Sequence, residues 1–251
     1  MESKSIEVRG IAIKYYEMGE GQPMVILHGW GSSKEVFKRF ITYYSKKFRV
    51  FAPDLPGFGE SETPKIPWTV YDYQEFLVAF LEALAIDNPL LVGHSHGGRI
   101  SVVHASKNKT KGLILLGSAG VRIVPLKVRL IKVAKKVIFV FGDNKVSLTI
   151  NKALNSIFAS KDFKSAAQSE FHKKTIVAVI NEDLRHLMPE IDSPTLLIFG
   201  KNDKDTPISH GKIMHKLIAG SKLEIIENAG HYTFLDAESA VLLKIDKFLD
   251  L

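Results

Sequence analysis

The chain has 251 residues, of which 45% are hydrophobic and 24% charged, so it can bury a substantial core and is neither a disordered nor a fibrous chain. It contains no cysteine, which excludes a disulfide framework, a thiolate metal site and a cysteine nucleophile, and fits a reducing compartment. The net charge of +7 is spread along the chain without the interleaved aromatics of a nucleic-acid module, so a solvated basic surface is expected and no nucleic-acid partner.

The N-terminal stretch "MESKSIEVRGIAIKYYEMGEG" has no apolar h-region behind a basic start and no cleavage site, so no signal peptide is expected. No apolar run reaches the length of a membrane span. A cytoplasmic location follows as the expectation.

In chain order, "SIEVRGIAIKYYEMG" predicts two short strands turning near Gly10. "PMVILHG" is a short apolar run closed by glycine, as in a buried parallel strand. A helix is expected next: Ser32 with Glu35 forms a capping-box pattern, and Val36, Phe37, Phe40, Ile41 and Tyr44 recur at helical spacing. "FRVFAPDLPGFGES" reads as a strand running into a Pro/Gly loop, and "TVYDYQEFLVAFLEALAI" as an amphipathic helix capped by Thr69.

The alternation repeats with the strand "PLLVG", a helix from His96 to about Ser106, and the strand "KGLILLGSAG". After an interruption come the strand "PTLLIFGKND", a helix with Thr206 as N-cap and Pro207 at its first position, the strand "SKLEIIENAGH" and the helix "DAESAVLLKIDKFLD". Strands alternating with helices predict an α/β fold: a mostly parallel sheet with helices on both faces, binding its ligand at the carboxyl ends of the strands.

The interruption, residues 121–187, shows helical periodicity and no convincing strand. It is expected to be a small helical cap inserted into a core made of residues 1–120 and 188–251. Within it, Arg129, Lys132, Lys135 and Lys136 share one side of a helical wheel, and Leu126, Leu130, Val133, Val137 and Ile138 another. A solvated basic face is the favoured reading; contact with a lipid surface or an acyl substrate is the alternative.

"LLVGHSHGGR" contains Gly93-His94-Ser95-His96-Gly97, a G-x-S-x-G pattern between an apolar strand and a helix. That context predicts a sharp turn presenting Ser95 as a nucleophile, with glycines where a side chain would strike the neighbouring strand and helix. A serine hydroxyl attacks only when a base takes its proton, and the base needs a carboxylate to orient it. Downstream, Asp203 and His231 each follow a strand, giving Ser, Asp and His at strand ends on one rim of the sheet. Asp205, two residues on, is the alternative carboxylate. A metal pair from His94 and His96 is disfavoured, because side chains flanking an elbow residue diverge and zinc takes three or four ligands.

"LHGWGSS", "PDLPGFGES", "VGHSHGGR", "GKNDKDTP" and "ENAGHY", in this order and over nearly the whole chain, resemble the sequence blocks of the α/β-hydrolase fold family, in an esterase-like member with a helical cap. The resemblance implies an oxyanion hole built by the backbone N–H groups of Trp30 and His96, with His28 bracing its loop and Asp54 tying down the next. It implies a serine hydrolase acting on a small to medium carboxylic ester through an acyl-enzyme, with no metal or organic cofactor. C–C bond hydrolysis of the meta-cleavage-product type, a lyase or an acyltransferase stay open, as does a ligand-binding protein on a hydrolase scaffold.

Overall fold

The computed structural model describes residues 1–123 and 169–251. At the centre, the runs "PMVIL", "LLVGH", "GLILL" and "TLLIFG" form strands β3 (Pro23–Leu27), β5 (Leu90–His94), β6 (Gly112–Leu116) and β7 (Thr195–Gly200), and nearly every residue in them is buried. Successive side chains on a strand point to opposite faces, and here both faces are covered. Val25, Leu27, Leu91, Leu113, Leu115, Leu197 and Phe199 enter one core; Met24, Ile26, Leu90, Val92, Ile114, Leu116 and Ile198 enter the other. That is why these strands read as continuous apolar runs.

With β1 (Lys4–Val8), β2 (Ile11–Met18), β4 (Arg49–Pro53) and β8 (Lys222–Ile226), the described residues form an eight-stranded sheet in the order β1-β2-β4-β3-β5-β6-β7-β8. β1 and β2 pair antiparallel, as do β2 and β4, and every other pairing is parallel. The β1–β2 hairpin turns on Arg9 and Gly10, both at positive φ, which matches the twist of a tight hairpin.

Helices α1 (Lys38–Tyr44), α2 (Val70–Ala83), α3 (His96–Ala105), α4 (Glu170–Asn181), α5 (Ile208–Leu217), α6 (Thr233–Asp236) and α7 (Glu238–Leu249) complete the described part. Thr69 caps α2 as expected, with a reciprocal capping box to Asp72. Ser32 does not cap a helix. The chain instead enters a 3₁₀ turn, Lys34–Phe37, behind Ser33, while Glu35 is drawn away to the Tyr16 hydroxyl and Lys38. Thr206 is not a cap either. α5 begins at Ile208 behind Pro207, and the Thr206 hydroxyl lies 2.9 Å from the Gly117 carbonyl and 2.7 Å from Asp203 Oδ2, a tertiary use that overrides the local pattern.

Of residues 121–187, the described parts are 121–123 and 169–187, which carry α4 and no strand. The expected basic helix with Arg129, Lys132, Lys135 and Lys136 lies outside the described residues. α4 is seated on the core: Phe171, Ile176 and Val179 are buried in it, and Thr175 Oγ1 accepts the Trp68 N–H at 3.0 Å. Among the described residues no helix is long and apolar enough to cross a membrane.

Candidate active site

β5 delivers the chain to Ser95, whose φ of 51° and ψ of −108° lie outside the regions ordinary residues occupy. The flanking glycines permit this turn through close approach. A Cβ on Gly93 would sit 2.6 Å from Ser101 Oγ, and one on Gly97 only 2.2 Å from the carbonyl oxygen of Leu27 in β3. The turn is closed by hydrogen bonds to β6 and the loop after it: the Ser95 N–H donates to the Leu116 carbonyl, and the Ala119 N–H to the Ser95 carbonyl, both at 3.2 Å.

Asp203 stands in the turn after β7. Its Oδ1 accepts the N–H groups of Asp205 and Thr206, both at 2.9 Å, and its Oδ2 accepts the His231 Nδ1–H at 2.8 Å. Burial alone would raise the carboxyl pKa; the His231 hydrogen bond and charge, with the Thr206 donors, hold it below the usual value. Asp205 is exposed and serves Asp203 as a backbone donor. The Gly117 turn after β6 packs against this pair: a Cβ there would lie 3.1 Å from the His231 carbonyl oxygen and 3.3 Å from Asp203 Oδ2. One short loop, residues 117–119, therefore touches the Ser95 backbone at one end and the Asp203–His231 pair at the other.

His94 and His96 diverge. The His94 ring lies 4.8 Å from that of His231 and 5.1 Å from that of Phe234, while His96 packs edge-on against Tyr73 and Trp30 at 4.7 and 5.5 Å. His94 Nε2–H donates to the His231 carbonyl at 3.0 Å and so ties the histidine loop to the elbow. Sequence reasoning gave His94 no such role; a polar residue as the last member of an apolar strand was the signal. Burial, reinforced by the charge on His231, pushes its pKa down to about 3. Burial likewise holds His96 well below its ordinary value and neutral.

The loop that follows β3 carries Trp30, whose ring meets those of Phe58, His96 and His172 at 4.8, 5.5 and 6.2 Å. His172 on α4 donates from Nε2 to the Gly57 carbonyl at 2.7 Å, so the returning end of the 121–187 segment packs beside Trp30. His28 holds the start of this loop: its Nδ1–H donates to the Gly29 carbonyl at 2.8 Å, and its Nε2 accepts the Leu55 N–H at 2.9 Å. Asp54 Oδ2 accepts the Glu60 N–H at 2.9 Å and ties down the next loop.

Asp203, Asp205 and His231 bring ligand-type atoms within 4.8 Å of one another. A cation there would have to displace the hydrogen bonds that already fill both Asp203 oxygens. The arrangement suits proton transfer better: the carboxylate fixes the imidazole with Nδ1–H inward and Nε2 on the opposite side of the ring.

The buried histidines also set the acid stability. His94 at the end of β5 and His104 in α3 have pKa values pushed by burial from 6.5 to about 3 and about 4, respectively. The unfolded chain therefore binds more protons as pH falls below 6.5, and stability is lost progressively down to the folded-state values. These two groups together remove about 4 kcal/mol of stability between pH 8 and pH 5. Thermal melts across that range check it. His104→Phe flattens the slope, and a melting temperature independent of pH would contradict the assignment.

Comparison with known proteins agrees with this fold. A family model for the alpha/beta hydrolase fold matches residues 22–135, and one for TAP-like protein matches residues 174–250. The chain is 28% identical to a pimeloyl-[acyl-carrier protein] methyl ester esterase of Legionella pneumophila, over 92% of this chain and 96% of the relative. It is 26% identical to a 2-hydroxy-6-oxo-2,4-heptadienoate hydrolase of Pseudomonas putida, over 96% and 93%. An esterase structure from Exiguobacterium antarcticum superposes with a TM-score of 0.77 at 24% identity over 100% of both chains, a likeness of fold. The chain belongs to the α/β-hydrolase fold family.

Proposed function

We propose that the protein is a serine hydrolase that cleaves a small to medium carboxylic ester through an acyl-enzyme. Ser95 attacks the carbonyl carbon as its proton passes to His231 Nε2, and Asp203 holds the imidazole and offsets its charge. The tetrahedral oxyanion is stabilised by the backbone N–H groups of Trp30 and His96. Collapse expels the alcohol, which takes the proton from His231. Water then attacks the acyl-enzyme by the same route in reverse, releasing the acid and restoring Ser95.

The observation that carries this reading is the Asp203–His231 hydrogen bond at 2.8 Å, together with a serine held at positive φ directly after β5, whose last residue, His94, hydrogen-bonds the His231 carbonyl. We assign residues 121–187 to a cap inserted into a core of residues 1–120 and 188–251; among the described residues, the seating of α4 beside Trp30 supports it. A second reading, hydrolysis of a C–C bond in a ring-cleavage dienoate, uses the same three side chains and is favoured by the similarity to the Pseudomonas putida hydrolase.

A p-nitrophenyl ester panel of increasing acyl length, run beside a ring-cleavage dienoate, tests the choice. Ester turnover that peaks at short to medium acyl chains is expected. Turnover of the dienoate without any ester would replace the esterase reading with the C–C hydrolase. Saturable binding without turnover, indifferent to Ser95→Ala, would replace both with a binding protein.

A further inference from the structure

The residue that closes the loop after β3 is a lysine with no exposed side-chain surface. Lys34 Nζ lies 2.7 Å from Asp54 Oδ2, and the Lys34 backbone N–H donates to Asp54 Oδ1, also at 2.7 Å. Asp54 is itself fully buried. Nζ also reaches Glu60 Oε2 and sits 5.0 Å from the face of the Tyr16 ring. One carboxylate thus grips a single residue at both its main chain and its side-chain tip.

A buried ion pair adds little net stability compared with a well-packed apolar pair, because desolvation offsets most of the attraction. Its distinctive property is positional. Two oxygens holding two groups of one residue fix that residue in translation and rotation against β4, which a hydrophobic contact does not do. The loop of residues 28–33 lies between this grip and a second anchor at its start. There the Gly97 N–H donates to the His28 carbonyl at 3.1 Å, and Leu55 N–H donates to the His28 ring at 2.9 Å. Inside the loop the Ser32 N–H closes a turn on the Gly29 carbonyl at 3.2 Å. Trp30 is suspended between the two anchors.

We propose that Lys34 is a positioning residue for the reaction: its buried pair with Asp54 sets the far end of the 28–33 loop and so aims the Trp30 amide at the developing oxyanion. The inference rests on the serine-hydrolase reading above. A donor displaced by about 1 Å from a developing charge costs on the order of 10²-fold in rate. Lys34 touches no reacting atom and acts only through the loop.

The test uses Lys34→Met, Lys34→Arg and the double variant Lys34→Met/Asp54→Asn, which leaves no unpaired buried charge should the single variant fold poorly. Each is assayed for kcat and KM on the best ester, for affinity of an alkyl boronic acid, which forms a tetrahedral serine adduct, and for affinity of the product acid. Lys34→Met and the double variant are expected to lose about 10–100-fold in kcat with KM within about threefold. Boronate affinity should fall in step with kcat/KM, product-acid affinity should hold, and Lys34→Arg should recover most of the loss.

Folded variants with unchanged kcat and boronate affinity would overturn the proposal. So would a rise in KM alone, or a loss that merely tracks the folded fraction measured by circular dichroism. Failure of the underlying reading looks different: the wild-type protein would then hydrolyse no ester and bind no boronate, and the role of Lys34 would fall with it.

Discussion

Replacement of Ser95 by alanine should lower kcat on any ester by about 10⁴–10⁶-fold, because the remaining groups then act on water without a nucleophile in place. Replacement by glycine should abolish activity equally but raise stability. The residue stands at φ 51° and ψ −108°, a conformation that costs a side chain on the order of 1–3 kcal/mol and glycine far less. After glycine's extra unfolded-state freedom is subtracted, Ser95→Gly should be about 1 kcal/mol more stable than Ser95→Ala, a rise of about 2–4 °C in Tm. Calorimetry on the two inactive variants, compared directly, measures the strain stored at the elbow. A glycine variant less stable than the alanine variant would show that the turn is not strained.

Gly97→Ala should be among the most disruptive single-methyl substitutions in the site. Its Cβ would meet the Leu27 carbonyl oxygen at 2.2 Å, the Leu27 carbonyl carbon at 2.5 Å and the His28 carbonyl oxygen at 2.8 Å. All three are backbone atoms, so no rotamer relieves the clash. β3 or α3 must shift, and the hydrogen bond from the Gly97 N–H to the His28 carbonyl goes with it. The expected cost exceeds about 3 kcal/mol, and protein that still folds should be slower by about 10²-fold because the Trp30 amide moves with its loop. Gly220→Ala is the control: φ there is +66° but nothing lies within 4 Å of the added carbon, so its cost should stay near 1 kcal/mol. Urea midpoints of the two variants give the comparison, and similar values would mean that contact with β3 is not what requires glycine at residue 97.

The sheet was legible because its central strands are buried on both faces, which writes itself as unbroken apolar runs between glycine-rich turns. The pairing of Asp203 with His231 was legible for a related reason: a parallel sheet puts such strand ends on one rim, so residues that follow neighbouring strands meet. Local signals failed where a distant partner outbid them. Ser32 and Glu35 carry the letters of a capping box, yet Glu35 is taken by Tyr16 and Lys38, and the Lys34 N–H is already satisfied by Asp54. Thr206 before Pro207 has the look of a helix start, yet its hydroxyl is held between Gly117 and Asp203. The burial of Lys34 left no trace in its own neighbourhood, since "GSSKEVF" reads as an exposed helix start until residue 54 is folded against it. The bond from His94 to the His231 carbonyl spans 137 positions and is visible only in three dimensions.

The reading as a whole rests on an alcohol made reactive by an imidazole that a buried carboxylate holds in place. Treatment of the intact protein with a fluorophosphonate, followed by peptide mass mapping, examines that state without presupposing a substrate. A single adduct on Ser95, formed at a rate that collapses in His231→Ala and in Asp203→Asn, is the predicted result. A well-folded protein that stays unlabelled, or carries the label on another residue, would contradict it.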